Sequence, residues 1–275
     1  MRLTPDRVGA QAPEGPGGSE EEEERRGDTA ARTRQSGSRR ARGGSDAGVM
    51  KKLELESYAA QSARWPTAGR HILAQFDAET IVVYQAYRPS IARHAALHQR
   101  LGGPEFSFGR MSWIKPNFLW MMFRSGWGTK PDQEAVLAIR IQRAGFDAIL
   151  AAAVPSGFVP DLHPSEEAWK SDLQRSDVRL QWDPDHHPSG APVARRAIQL
   201  GLRGATLRRF AEEWTVGVED ISALVAEQRE VLRGRGVGEL EIPREEVYWP
   251  TAAEAARRVG IERRGSQRDD EPWPG

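Results

Sequence analysis

The sequence predicts an α+β protein: one compact domain over residues 50–261, a central β-sheet with flanking helices, behind a disordered N-terminal tail over 1–49. Three observations carry this expectation. Residues 1–49 are Gly, Arg, Glu, Ser and Pro with almost no large apolar side chain, so the stretch cannot bury enough surface to offset the entropy of ordering it. Beyond Met50, β-branched and aromatic runs interleave with segments of helical period, the mixture that packs helices on a sheet. The 275 residues include no cysteine, so neither disulfides nor thiolate metal sites can replace a packed core, and nine tryptophans supply material for one.

Within the tail, the run Glu20–Glu24 and the arginine-rich stretch Arg32–Arg42 read as solvated charge, with contact to RNA or an acidic partner as the functional alternative. Met50, followed at once by the first foldable segment Lys51–Ala63, reads as an alternative translation start. Thr80–Ala86 (TIVVYQA) is a buried strand, ended by Arg88-Pro89. Ser90 opens a helix that closes at Gly102-Gly103, where glycine accepts the left-handed cap. Phe106–Ile114 is expected as a second strand, and a helix follows from Pro116 to Ser125, stopping at Gly126. Ala135–Ile141 is a third strand and Ala144–Ala152 a short helix. After a Pro-bearing loop over Val154–Pro164, Val178–Trp182 and Ala197–Leu202 are two more strands, with Asp183–Pro192 as the loop between them. Ala205–Trp214 and Ile221–Arg233 are helices, and residues 262–275, charged and Gly/Pro-bearing, form a flexible C-terminal tail.

The 39 basic and 39 acidic residues balance, which argues against attachment to nucleic acid by bulk charge. The mean hydropathy of −0.62, with no run of about 18 apolar residues, gives no membrane partner, and a cytoplasmic location is expected. Lysine is scarce: Lys51, Lys52, Lys115, Lys130 and Lys170 stand among many arginines, so a retained lysine hints at a position that wants a compact ammonium. The block Arg110–Gln133 (RMSWIKPNFLWMMFRSGWGTKPDQ) combines Arg110, Lys115, Arg124 and Lys130 with Trp113, Trp120 and Trp127 at seven-residue spacing. Its apolar residues read as core, whereas cations interleaved with aromatics can grip phosphate and stack a base.

A second polar cluster surrounds the first strand and includes Arg70, His71 and Gln85. Gln85 sits inside TIVVYQAY and must be hydrogen-bonded if buried, and His71 is a candidate general acid/base, since its ordinary pKa lies near neutrality. His94 and His98 are four apart on a helix but lack a third ligand, and His186-His187 with Asp183 and Asp185 read as loop polarity, so no metal is expected. There is no P-loop, GxGxxG opening a helix, HExxH or GxSxG, which sets aside the kinase, dehydrogenase, zincin and α/β-hydrolase readings.

The segments FDAETIVVYQAYRPSIA, RMSWIKPNFLWMMFRSGWGTKPDQEAVLAI, QWDPDHH and RRAIQLGLRG closely resemble the bacterial and fungal family catalogued as domain of unknown function 4291, over about Arg64 to Ser222. That resemblance implies no activity. The order of strand, glycine-ended helix, strand with Ser112-Trp113, helix and strand is similar, in layout, to ADP-ribosyltransferase-like folds. The likeness implies a grip on NAD by Gln85 at the first-strand position and by Ser112 and Trp113 at the second, with Asp183 one option for the acidic residue that orients the ribose. Gln85 departs from the His or Arg usual at its position.

The leading expectation is an enzyme binding a nucleotide-like ligand, NAD among the candidates. Gln85, His71 and Asp183 are its candidate catalytic residues, and Arg70, Arg110, Ser112, Trp113, Lys115, Arg124 and Lys130 its candidate cofactor-binding residues. RNA or single-strand binding or modification, and a non-catalytic interaction module, are the alternatives. The first needs these side chains to converge in one concavity, RNA binding needs an open groove, and a module needs neither. Nothing in the sequence specifies substrate or oligomeric state.

Overall fold

The computed structural model describes residues 51–261. The expectations for residues 1–49 and 262–275 lie outside the described residues.

The chain opens with β1 (Leu55–Ser57), α1 (Tyr58–Ser62), β2 (Gly69–Arg70), β3 (Ile72–Ala74), β4 (Thr80–Tyr87) and α2 (Pro89–His98). Next come β5 (Ser112–Ile114), α3 (Phe118–Ser125), β6 (Ala135–Gln142), α4 (Arg143–Ala152), β7 (Ala153–Pro155) and α5 (Glu166–Arg175). It closes with β8 (Val178–His186), β9 (Pro192–Leu202), α6 (Gly204–Arg209), a π-helical turn at Phe210–Trp214, β10 (Thr215–Asp220), α7 (Ser222–Gly234), β11 (Glu241–Pro243), β12 (Glu246–Tyr248) and α8 (Ala253–Val259). The α+β class is the one read from the sequence.

Two sheets matter for function. In the first, β6 lies between β4 and β10, both antiparallel to it. In the second, β9 is central, with β8 antiparallel on one side and both β2 and β5 on the other, and β7 parallel to β8. The small pairs β1–β11 and β3–β12 complete the strand pairing. A single backbone bridge joins the two main sheets: Tyr84 N donates to Lys115 O at 2.7 Å and Lys115 N to Tyr84 O at 3.2 Å.

Successive residues of a strand point to opposite faces, and β4 is buried on both. Ile81 and Val83 enter one core with Leu137, Ile139, Leu180 and Leu200, while Val82 and Tyr84 enter another with Phe118, Met122 and Val136. This double cover explains why TIVVYQAY reads as a continuous apolar run instead of an alternating one. Helix α3 starts at Asn117, whose side chain accepts from Trp120 N at 2.6 Å, and ends at Gly126 in the left-handed conformation. Its Trp120 is 4 % exposed, as expected for the helical member of the tryptophan series.

Several local expectations are corrected. The strand expected over Phe106–Ile114 shrinks to Ser112–Ile114, because Phe106 packs edge-to-face on both Phe108 and Tyr87 instead of entering a ladder. Helix α2 is capped not by Gly102-Gly103 but by Gln99, left-handed at φ 55°, with its side chain tied to the Val218 backbone. The expected loop over Asp183–Pro192 is half strand: β8 and β9 stay paired to His186↔Pro192, and only 187–191 form the connection. The pairing holds because Asp185 is buried against Arg195, so polarity there marks an internal ion pair. The helix over Ala205–Trp214 turns π-helical at Phe210. β1, β2, β3, β7, β10, β11, β12, α5 and α8 were outside the expectation, most of them too short to carry a period.

Candidate functional site

Beyond the Tyr84–Lys115 bridge, side chains take over from backbone in joining β4 to β5. Gln85 Nε2 donates to Ser112 Oγ at 2.7 Å and to the Trp113 carbonyl at 3.2 Å, and Tyr87 Oη shares a hydrogen bond with Ser112 Oγ at 2.8 Å. A carbonyl can only accept, so the amide nitrogen of Gln85 must face Trp113. Its Oε1 is consequently turned away and, though buried, has no protein partner.

Gln85, Ser112 and Trp113 line a cleft of about 610 Å³, together with Lys115, Arg110 and Arg124. Tyr87, Arg88, Phe106, Met111, Met121, Gln181 and Gln199 line it too. Each element contributes for a local reason. β5 sends Trp113 toward the face opposite the apolar core, where its backbone pairs with Gly201. A Cβ on Gly201 would lie 2.5 Å from Met111 Sδ and 3.0 Å from the Trp113 ring, so the bare glycine is what lets the indole lie across the sheet. Two residues on, Lys115 takes the same face. Helix α3 brings Arg124 and Met121 over the cleft. On β8 and β9, Gln199 Nε2 bridges Gln181 Oε1 at 2.9 Å and Asp183 Oδ2 at 2.7 Å.

The charges are unevenly balanced. At the rim, Arg88 pairs with Glu105 at 3.6 Å and Asp132 at 3.3 Å, which occupies both carboxylates lining the cleft. Among the described residues, the guanidinium groups of Arg110 and Arg124 meet no carboxylate, and both are exposed. Lys115 is 6 % exposed, and its Nζ has one hydrogen bond, to Trp113 O at 3.3 Å. Burial, reinforced by the charge of Arg124 and opposed by that of Asp183, pushes its amine down to about 7. Burial also raises the Asp183 carboxyl, against the pull of Gln199, Arg124, Lys115 and Arg196.

Of the residues singled out in the sequence, Gln85, Arg110, Ser112, Trp113, Lys115 and Arg124 share this cleft. Asp183 adjoins it through Gln199 and the field of Lys115. The other three stand apart from the lining. Lys130 Nζ donates to the Arg124 carbonyl at 2.7 Å, closing the C-terminus of α3. The Arg70 guanidinium lies against Gly260 at the end of α8. His71 is buried between β2 and β3. Sequence reasoning missed Gln181 and Gln199, although each is a polar residue inside an apolar strand, the same signal that marks Gln85. Among the described residues no group of three His, Cys, Asp or Glu is placed to hold a metal ion, and no helix is long and apolar enough to cross a membrane.

The cleft can therefore present two unpaired guanidiniums to an anion, an indole to a planar group, an unpartnered amide oxygen to a donor, and a buried amine to a reacting centre. Among curated proteins none matches this chain. Residues 71–248, spanning the cleft and every strand of the two main sheets except β2, match the model of the family described as Domain of unknown function (DUF4291), and the chain belongs to that family.

Proposed function

We propose that this protein is a cytoplasmic enzyme that binds a nucleotide-like ligand in the cleft between β4 and β5. The observation that carries the reading is the convergence of Arg110 and Arg124, unpaired by any carboxylate among the described residues, with Trp113 and Gln85 in one concavity. Unpaired guanidiniums suit the bidentate grip that phosphate oxygens offer, and an indole beside them suits a base. A volume of about 610 Å³ falls in the range of small-molecule sites. NAD is one such ligand: the likeness in layout to ADP-ribosyltransferase-like folds would give the gripping positions to Gln85, Ser112 and Trp113, with Asp183 one option for orienting the ribose.

Calorimetry of the full chain with NAD, a nucleoside triphosphate and a short single-stranded RNA tests this. Binding of a mononucleotide or dinucleotide is expected, and Arg110→Lys and Gln85→Ala are each expected to weaken it at least about tenfold, near 1.4 kcal/mol, with the fold retained. Unchanged affinity in both variants overturns the nucleotide site. Binding of RNA alone transfers these cations and aromatics to single-strand recognition.

A further inference from the structure

Lys115 stands apart from every other lysine of the chain. Lys51 pairs with Glu54 and Asp77, Lys170 pairs with Glu166, Lys130 caps α3, and Lys52 is exposed. Lys115 alone is buried, and it is buried without a carboxylate, with a single hydrogen bond to a backbone carbonyl. Its position is held firmly: both backbone groups bond to Tyr84, and Pro116 follows. Asp183 acts on it electrostatically without closing an ion pair. A structural lysine at such a depth would satisfy its charge with a partner. One that lines a cleft beside two arginines is arranged to stay uncharged and accessible to a ligand.

We propose that Lys115 is an imine-forming residue, whose ε-amine condenses with the aldehyde or ketone of a phosphate-bearing ligand held by Arg110 and Arg124. This rests on the anion-binding reading of the cleft and names the chemistry done there. The Nζ lone pair attacks the carbonyl carbon, a C–N bond forms, and the carbonyl electron pair moves to oxygen, which takes the proton released by nitrogen. The nitrogen lone pair then expels that hydroxyl, which leaves as water with a proton taken from solvent. The products are a protonated imine and water, with no change of oxidation state. Burial holds the amine down to about 7, so a neutral nucleophile is present near neutral pH.

Pyridoxal 5′-phosphate, which carries both an aldehyde and a phosphate, serves as the probe: the full chain is incubated with it near neutral pH, reduced with borohydride, and mapped by peptide mass spectrometry. Lys115 is expected to be labelled at least about tenfold faster than Lys52 or Lys170, since burial pushes its amine toward the neutral, nucleophilic form. Inorganic phosphate should slow that labelling, pyridoxal without phosphate should lose the preference, and Lys115→Arg should abolish the modified peptide while circular dichroism is unchanged. Labelling of Lys115 no faster than of the exposed lysines, with nucleotide binding intact by calorimetry, overturns the imine and leaves the nucleotide site standing. Selective, phosphate-sensitive labelling without nucleotide binding supports the imine and overturns the nucleotide.

Discussion

Two polar clusters begin two residues apart in the chain, at Asn117 and at Lys115, and they treat their polar atoms in opposite ways. Around Asn117 the network closes on itself. Glu245, fully buried, accepts from Asn117 Nδ2 at 3.0 Å and Phe118 N at 2.6 Å, its own N–H donates to Gln61 Oε1 at 2.8 Å, and its carbonyl accepts from Trp65 Nε1 at 2.9 Å. Gln61 Nε2 in turn holds the backbone carbonyls of Glu56, Ile242 and Pro243. The result ties the N-terminus of α3 to β1 and β11, and leaves no capacity for a ligand. Around Lys115 the atoms are left short among the described residues: one weak bond on the amine, none on Gln85 Oε1, no carboxylate for Arg110 or Arg124. Burial and polarity are common to both clusters, so neither property identifies a site. Unmet hydrogen-bonding capacity facing a cleft does.

The largest expected effect tests the closed network. Glu245→Ala strands the Asn117 amide and the Phe118 N–H in a dry interior, and should cost about 3 kcal/mol or more of stability, measured by urea denaturation. A cost below about 1 kcal/mol would show that this cluster is not what anchors α3, and would dissolve the contrast.

The next tests the open cluster through stability alone. With its amine held down at about 7, folded Lys115 binds fewer protons than the unfolded chain between that value and the ordinary lysine range. Stability of the native protein therefore rises with pH across this window. At and below neutral pH the folded state carries a buried charge that Lys115→Met removes. That variant should be more stable than the native chain there by about 2 kcal/mol, an advantage that fades as pH climbs toward the ordinary lysine pKa. A difference that is constant with pH would mean that the amine is solvated.

The smallest change sharpens the contrast further. Gly201→Ala adds one methyl beneath Trp113 and Met111. The methionine can give way, but the indole must tilt, so nucleotide affinity should fall about tenfold, near 1.4 kcal/mol, while the melting temperature changes little because the apolar face of β9 is untouched. Unaltered affinity would remove Trp113 from the binding surface.

Much of the cleft was legible because its residues contradict their local surroundings. Gln85 interrupts an apolar strand, and Lys115 is one of few lysines in an arginine-rich chain. Gln181 and Gln199 contradict theirs just as clearly, yet their meaning depends on β8–β9 register, which pairs them directly, and on Asp183 lying within reach of Gln199. Residue type misleads where position decides: Lys130 carries the right charge for phosphate but spends it on a helix terminus, and Arg70 lies against α8.

By itself the sequence determined what short-range physics controls: the α+β class, the strands β4, β6, β8 and β9, the helices α2, α3, α4 and α7, and the cationic-aromatic character of Arg110–Gln133. Periodicity, proline and glycine act over a few residues, and that is enough for those features. Only the tertiary structure decided that β4 meets Lys115 through a single bridge, that β5 lies on β9 over Gly201, and that, among the described residues, Arg110 and Arg124 are left without carboxylates while Arg88 takes both. These outcomes come from pairings between segments some 30 to 90 residues apart, whose energies depend on sheet register and on which polar groups burial leaves unsatisfied, and no local pattern encodes either.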